Sequence, residues 1–117
     1  MDNFVAVTGN LAQDIKLNRT GNGTAVANTS IGVSRKKGDE KITSFFDITI
    51  WGKLAENVAR ACQKGDRVTV TGTLNQEKFE KDGQKRSTIV IYADTMGKDE
   101  RFSDNRPTVV TYDSEPF

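Results

Sequence analysis

Residues 42–70 read ITSFFDITIW-GKLAENVARACQ-KGDRVTV, and a strand pattern, a helix pattern and a second strand pattern follow one another along them. Phe46, Ile48 and Ile50 alternate with Phe45, Asp47, Thr49 and Trp51, the period-two spacing of a strand with two different faces. Gly52 ends that run. Over residues 53–63, Leu54, Ala55, Val58, Ala59 and Cys62 share one face of a helix. Lys64-Gly65-Asp66 stops it, since Gly65 suits the left-handed position after a helix end. Alternation then returns as Val68, Val70, Gly72 and Leu74.

Working outward, residues 4–11 alternate with Val5, Val7, Gly9 and Leu11 on one face. A polar stretch and the turn Thr20-Gly21-Asn22-Gly23 lead into residues 25–35, where Ala27, Thr29, Ile31 and Val33 share a parity. Residues 36–41 form a charged loop around Gly38. Downstream, the strand over residues 67–81 ends at Asp82-Gly83, a strong hairpin turn, and residues 85–96 follow with Ile89, Ile91 and Ala93 in phase. Five strands with one helix between the third and fourth give an all-β chain with the element order of the OB-fold, a five-stranded Greek-key barrel. A split ferredoxin-like sheet would need a second helix. From Gly97 onward the hydrophobic pattern fades, which divides the chain into a barrel domain, residues 1–97, and a short tail without fixed structure, residues 98–117.

The chain has 117 residues and a formal charge of only +1, but the charge is unevenly spread. Residues 1–96 hold 14 basic and 11 acidic side chains, a net of +3, whereas residues 97–117 hold 3 and 5, a net of −2. A mildly basic globular part and an acidic tail invite different partners. Hydrophobic residues make up 35% of the chain, enough for a small core, and self-association would help so small a barrel. Histidine is absent and Cys62 is the only cysteine, so neither a structural zinc site nor an internal disulfide framework is expected, and no cofactor or metal. No apolar run approaches membrane-spanning length and no basic-then-apolar leader opens the chain, so a soluble, intracellular protein is expected. Cys62 continues a helical apolar face and reads as a small packing residue.

The outward parity of the strand over residues 42–51 should be polar, yet it carries Phe45 and Trp51. On the next strand Phe79 also falls opposite the apolar set, beside Asn75 and Glu77. Three such rings point to a platform on which bases stack for about 1–3 kcal/mol each, without sequence preference because every base has a π-face. The competing use of the rings is a second small core or a subunit interface, and a bulge near Gln76 would turn Phe79 inward. Arg35, Lys36, Lys37 and Lys41 lie in or beside the charged loop, and Lys53, Lys78, Lys81, Lys85 and Arg86 lie near the aromatic strands. Cations so placed neutralise phosphates and release counterions, giving affinity that weakens with salt. The plain alternative is a solvated surface, since Asp39, Glu40, Glu77 and Glu80 are interleaved with them. At the other end, Asp113-Ser114-Glu115-Pro116-Phe117 suits a pocket with an apolar hole and a basic rim.

Several blocks, in order and spacing, resemble the bacterial single-stranded DNA-binding proteins. They are Gly9-Asn10-Leu11 with Asp14, Asn22-Gly23 before Ala25-Val26-Ala27-Asn28, Trp51-Gly52-Lys53-Leu54-Ala55-Glu56-Asn57, and Lys64-Gly65 with Val68, Val70, Gly72 and Leu74. The resemblance spans about residues 3–97 and returns at the last five residues. It implies an OB-fold that assembles as a homo-oligomer, a homotetramer or a dimer, and coats single strands during replication, recombination and repair in the cytoplasm of a bacterium or of a phage's bacterial host. It implies base stacking by Phe45, Trp51 and Phe79, a backbone contact from Lys53, and an acidic tip, Asp113 to Phe117, that recruits replication and repair proteins.

This sequence also departs from the family. Lys36-Lys37 stand where another aromatic is common, and Asn75 and Glu77 stand at often-basic positions. The linker over residues 97–112 is short and lacks the usual Gly/Gln/Pro-rich composition. Other readings of the same barrel are a replication-restart or RNA-binding protein, a nuclease, and a purely structural interaction domain. Against a nuclease stand the missing histidine and the absence of acids at metal-ligand spacing, so no catalytic residue is assigned.

Overall fold

Each apolar alternation becomes a strand, because one parity can be buried while the other meets solvent and the ladder satisfies the backbone. The computed structural model describes residues 2–100, in the order β1 (Val5–Leu11), β2 (Lys16–Arg19), β3 (Ala25–Lys37), β4 (Glu40–Trp51), α1 (Gly52–Ala61), β5 (Arg67–Lys81) and β6 (Gln84–Lys98). Five of these strands close a circuit, β1-β5-β6-β4-β3 and back to β1. Pairing is antiparallel except between β4 and β6, which run parallel from Asp47↔Val90 to Thr49↔Tyr92. With α1 between β4 and β5, this is the expected OB-fold.

Closure is sterically demanding. β1 pairs β5 over most of its length and meets β3 at Asn10↔Gly32 and Leu11↔Ile31. A Cβ on Gly9 would stand 2.2 Å from the Gly32 carbonyl oxygen, so the approach needs a residue without one. Inside the barrel, Leu11, Ile31, Ile48, Ile50, Val68, Val70 and Ile91 are fully buried. Burial of each such side chain contributes about 1.5–3 kcal/mol. α1 lays Ala55 and Val58 on this cluster, and Cys62 just beyond the helix joins it as a packing residue. Burial pushes the Cys62 thiol pKa up.

Two of the blocks that resembled the family, Gly9-Asn10-Leu11 with Asp14 and Lys64-Gly65, form one hydrogen-bonded knot. Asn10 Nδ2 donates to the Gly65 carbonyl (3.0 Å), the Gly65 N–H donates to the Leu11 carbonyl (2.9 Å), and the Leu11 N–H donates to the Asp66 carbonyl (2.9 Å). The Asp14 carboxylate accepts from the Lys64 N–H at 3.0 Å. The turn after α1 is thereby tied to the end of β1, which sets where β5 begins.

Three expectations are corrected. The polar stretch after β1 contains β2, which pairs Lys16↔Asn28 through Arg19↔Ala25 on the β3 edge; all four of its residues are exposed, so no apolar alternation marks it. The charged loop over residues 36–41 is mostly strand, with Lys36↔Lys41 and Lys37↔Glu40 paired. Leu74, read as inward, is 42% exposed, and Ile89, read in phase with Ile91, is 49% exposed. The reason is the length of the hairpins. β1 covers β5 only as far as Gly72, and β4 pairs β6 only over residues 47–49, so the outer part of the β5–β6 hairpin projects beyond the barrel. The β3–β4 hairpin projects likewise. Because β4 and β6 run parallel, both arms leave the same end of the barrel.

Candidate functional site

Register assigns the outward face. Residues directly opposite in a ladder share a side of the sheet. On β4 the outward set is Phe45, Asp47, Thr49 and Trp51, flanked on β3 by Gly32, Ser30, Asn28 and Val26. Beyond it lie Val90 and Tyr92 of β6, and then Thr73, Asn75, Glu77 and Phe79 of β5. The β5–β6 register runs unbroken from Leu74↔Ile91 to Lys81↔Gln84, so there is no bulge at Gln76 and Phe79 keeps its outward parity. The irregularity lies instead between Thr71 and Gly72.

The three predicted rings are all solvent-facing, with Phe45 67%, Trp51 41% and Phe79 45% exposed. Each has its own support. The Phe45 ring lies over Gly32, where an added Cβ would come within 3.2 Å of its Cε1. Trp51 meets Tyr92 edge-to-face, with centroids 4.7 Å apart and planes at 88°. Phe79 sits across from Arg86 on the outer part of the second arm. The floor between them is packed: Ser30, Thr49 and Val90 are buried although they lie on the outward face. Thr49 Oγ1 donates to Asn28 Oδ1 at 3.2 Å within that floor.

Tyr92 was not among the residues singled out from the sequence. The signal was present, since Tyr92 has the opposite parity to Ile91, but its position beside Trp51 depends on the parallel β4–β6 pairing. Its hydroxyl donates to Glu77 Oε1 at 2.8 Å. That bond to a carboxylate, and then burial, raise the Tyr92 pKa above its ordinary value.

The basic candidates divide by parity. Lys36 and Arg86 share the aromatic face, together with Lys41. Arg35, Lys37 and Lys78 lie on the opposite parity, across from Ile42, Glu40 and Ser87. All of them are exposed and all belong to the two projecting arms, so both arms carry positive charge on either side. Phe79, Lys78, Lys85 and Arg86 line a shallow groove on the second arm with Glu80 and Ser87. Lys53, at the start of α1, is 79% exposed, with its Nζ 3.7 Å from Glu56 Oε2. Glu56 also accepts a 2.9 Å bond from Arg19, and this guanidinium holds its carboxyl below the usual range.

Among the described residues no group of three or more His, Cys, Asp or Glu side chains could hold a metal ion, and no helix is long and apolar enough to cross a membrane. The acidic tip, Asp113, Ser114, Glu115, Pro116 and Phe117, lies outside the described residues.

The family model described as "Single-strand binding protein family" matches residues 2–99. The chain is 37% identical over 95 residues to the single-stranded DNA-binding protein of Treponema pallidum (strain Nichols), an alignment covering 78% of this chain and 54% of that protein. It is 36% identical over 110 residues to the single-stranded DNA-binding protein of Mycolicibacterium smegmatis, covering 87% and 67%. A third relative, the single-stranded DNA-binding protein of Corynebacterium glutamicum, is 36% identical over 104 residues, covering 82% and 46%. The chain thus spans roughly half to two thirds of the length of these relatives. On the match across its whole barrel, the chain belongs to the single-strand binding protein family.

Proposed function

We propose that this chain binds single-stranded DNA irrespective of base order, by stacking bases on the outward face of β4, β5 and β6 while the two basic arms hold the phosphates. The observation that carries the proposal is the exposure of Phe45, Trp51 and Phe79 on one register-defined face of the barrel. Stacking on open rings tolerates any base, and flanking cations add a salt-sensitive term. Lys36, Lys41 and Arg86 sit on the same face as the rings, while Arg35, Lys37 and Lys78 act from the other side of the arms. Lys53 extends the cationic rim beyond Trp51.

Bound in this way, the protein is a passive coat that protects single strands during replication, recombination and repair, and it has no catalytic role. Self-association as a homotetramer or a dimer belongs to the proposal. The exposed Leu74 and Ile89, on the opposite side of the second arm from Phe79, are an apolar surface suited to it. Residues Asp113 to Phe117 recruit partner proteins through their acids and terminal Pro-Phe. The site of action is the cytoplasm of a bacterium or of a phage's host.

Trp51 is the only tryptophan in the chain, so its emission reports on the site directly. Titration with oligo-dT at low and high salt should give saturable quenching, absent with duplex DNA. A response neither to oligo-dT nor in a labelled-strand shift would refute the proposal and assign the rings to an interface. Deleting residues 115–117 should abolish partner binding with DNA affinity retained; full partner binding after deletion would refute the role of the tip.

A further inference from the structure

On its β6 side, β4 is paired only from Asp47↔Val90 to Thr49↔Tyr92, so Trp51, the last residue of the strand, has no ladder partner there. Tyr92 fills that side. Its ring meets the indole edge-to-face at 4.7 Å, and its hydroxyl donates to Glu77 Oε1 at 2.8 Å. Register shows how the phenol lies. Tyr92 pairs with Thr73 of β5, whereas Glu77 pairs with Thr88. Thr73 and Glu77 are four residues apart, about 13 Å of strand, so the ring must lie along the sheet to reach. Because β4 and β6 run parallel, Trp51, two residues past Thr49, stands on the other side of Tyr92 from Glu77. One side chain thus runs between a stacking ring on the barrel and a carboxylate on the second arm. Tyr92 is half-buried and outside the core cluster, so its packing serves the outward face rather than the barrel interior.

We propose that Tyr92 is a positioning residue for strand binding: anchored by Glu77, it holds the Trp51 indole in the orientation on which a base stacks. This rests on the reading of the face as a single-strand site. An unsupported indole at an exposed strand end turns about its χ1 and χ2 bonds, and a base that stacks on it must stop that motion. Immobilising one such side chain on binding lowers affinity by about two- to tenfold. Packing against Tyr92 removes the motion when the chain folds, and the bond to Glu77 fixes the phenol in turn. The gain is the same for every base, so it raises affinity without creating a base preference. It also gives a carboxylate on a phosphate-binding face a use within the protein, as the acceptor that anchors the phenol.

The test uses end-labelled oligo-dT, whose anisotropy reads binding without relying on Trp51, and time-resolved anisotropy of Trp51 in the free protein. Tyr92→Leu should speed local depolarisation of Trp51 and weaken oligo-dT binding by about two- to tenfold. In a Trp51→Ala background the same change should weaken binding no further. Glu77→Ala tests the strut without touching either ring, and it should also free the indole in the anisotropy measurement. Glu77→Gln, which keeps an acceptor for the hydroxyl, should restore the order of Trp51. An equal loss of affinity with and without Trp51 would overturn the proposal, since Tyr92 would then act on the strand itself or through the fold. Unchanged Trp51 anisotropy in Tyr92→Leu or Glu77→Ala, or unchanged affinity in Tyr92→Leu, would overturn it while leaving single-strand binding intact. Failure of the unmodified protein to bind oligo-dT would overturn the single-strand reading and this proposal with it.

Discussion

Replacing Phe79 with alanine separates binding from folding. Fully burying a phenylalanine ring is worth about 1.5–3 kcal/mol. Phe79 is 45% exposed on a projecting arm outside the core cluster, so roughly half of that is realised in the free protein and the rest is available to a base. Truncation should therefore destabilise the fold by no more than about 1.6 kcal/mol. It should weaken oligo-dT binding by about 1.5 kcal/mol, within the range for one stacked base. By the usual conversion that is about tenfold in Kd. Trp51 remains to report quenching, and urea unfolding of the same sample reads stability. Unchanged Kd with unchanged stability would show that no base uses this ring. A fall in sedimenting mass at the same time would assign Phe79 to a contact between copies.

Other consequences can be checked independently. A Cβ on Gly72 would stand 2.0 Å from the Tyr92 carbonyl oxygen, at the β5–β6 irregularity, so Gly72→Ala should lower stability by about 3 kcal/mol in urea unfolding. Wild-type stability would show that the two strands can part without cost. The Glu56 carboxyl, bonded to Arg19, should titrate by NMR below its ordinary value and return toward it in Arg19→Ala. Because that pKa is lowered in the folded state, the stabilisation is present above the ordinary carboxylate value and is lost as pH falls through the lowered one. An ordinary midpoint for Glu56 in the native protein would contradict the ion pair. Buried Cys62, with its thiol pKa raised, should resist a thiol reagent under native conditions and react once urea unfolds the chain; rapid native labelling would contradict its packing role.

Periodicity carried the reading of the sequence, and it succeeded where one face of an element is buried. The alternation of Phe46, Ile48 and Ile50 against Phe45 and Trp51 assigned β4 and two of the platform rings, because parity within a strand is a local property of the backbone. The helical spacing of Ala55, Val58 and Cys62 placed α1 for the same reason. The method fails where burial does not vary along the element. β2 is exposed throughout and exists only because β3 offers it a hydrogen-bonding edge.

Leu74 and Ile89 kept the apolar parity of the core, yet the barrel ends before them, and where a sheet ends depends on which strands reach alongside. Tertiary pairing also decided the composition of the site. Parallel pairing of β4 with β6 sets Tyr92 against Trp51, 41 positions away in sequence, and antiparallel pairing of β5 with β6 brings Glu77 within reach of the Tyr92 hydroxyl. The sequence by itself determined which faces are apolar, where the helix interrupts the strands, and which rings point outward, since each follows from spacing along one chain segment. Only the tertiary structure decided which of those rings share a surface, which cations flank them, and that Tyr92 joins Trp51, since these depend on register between strands far apart in sequence.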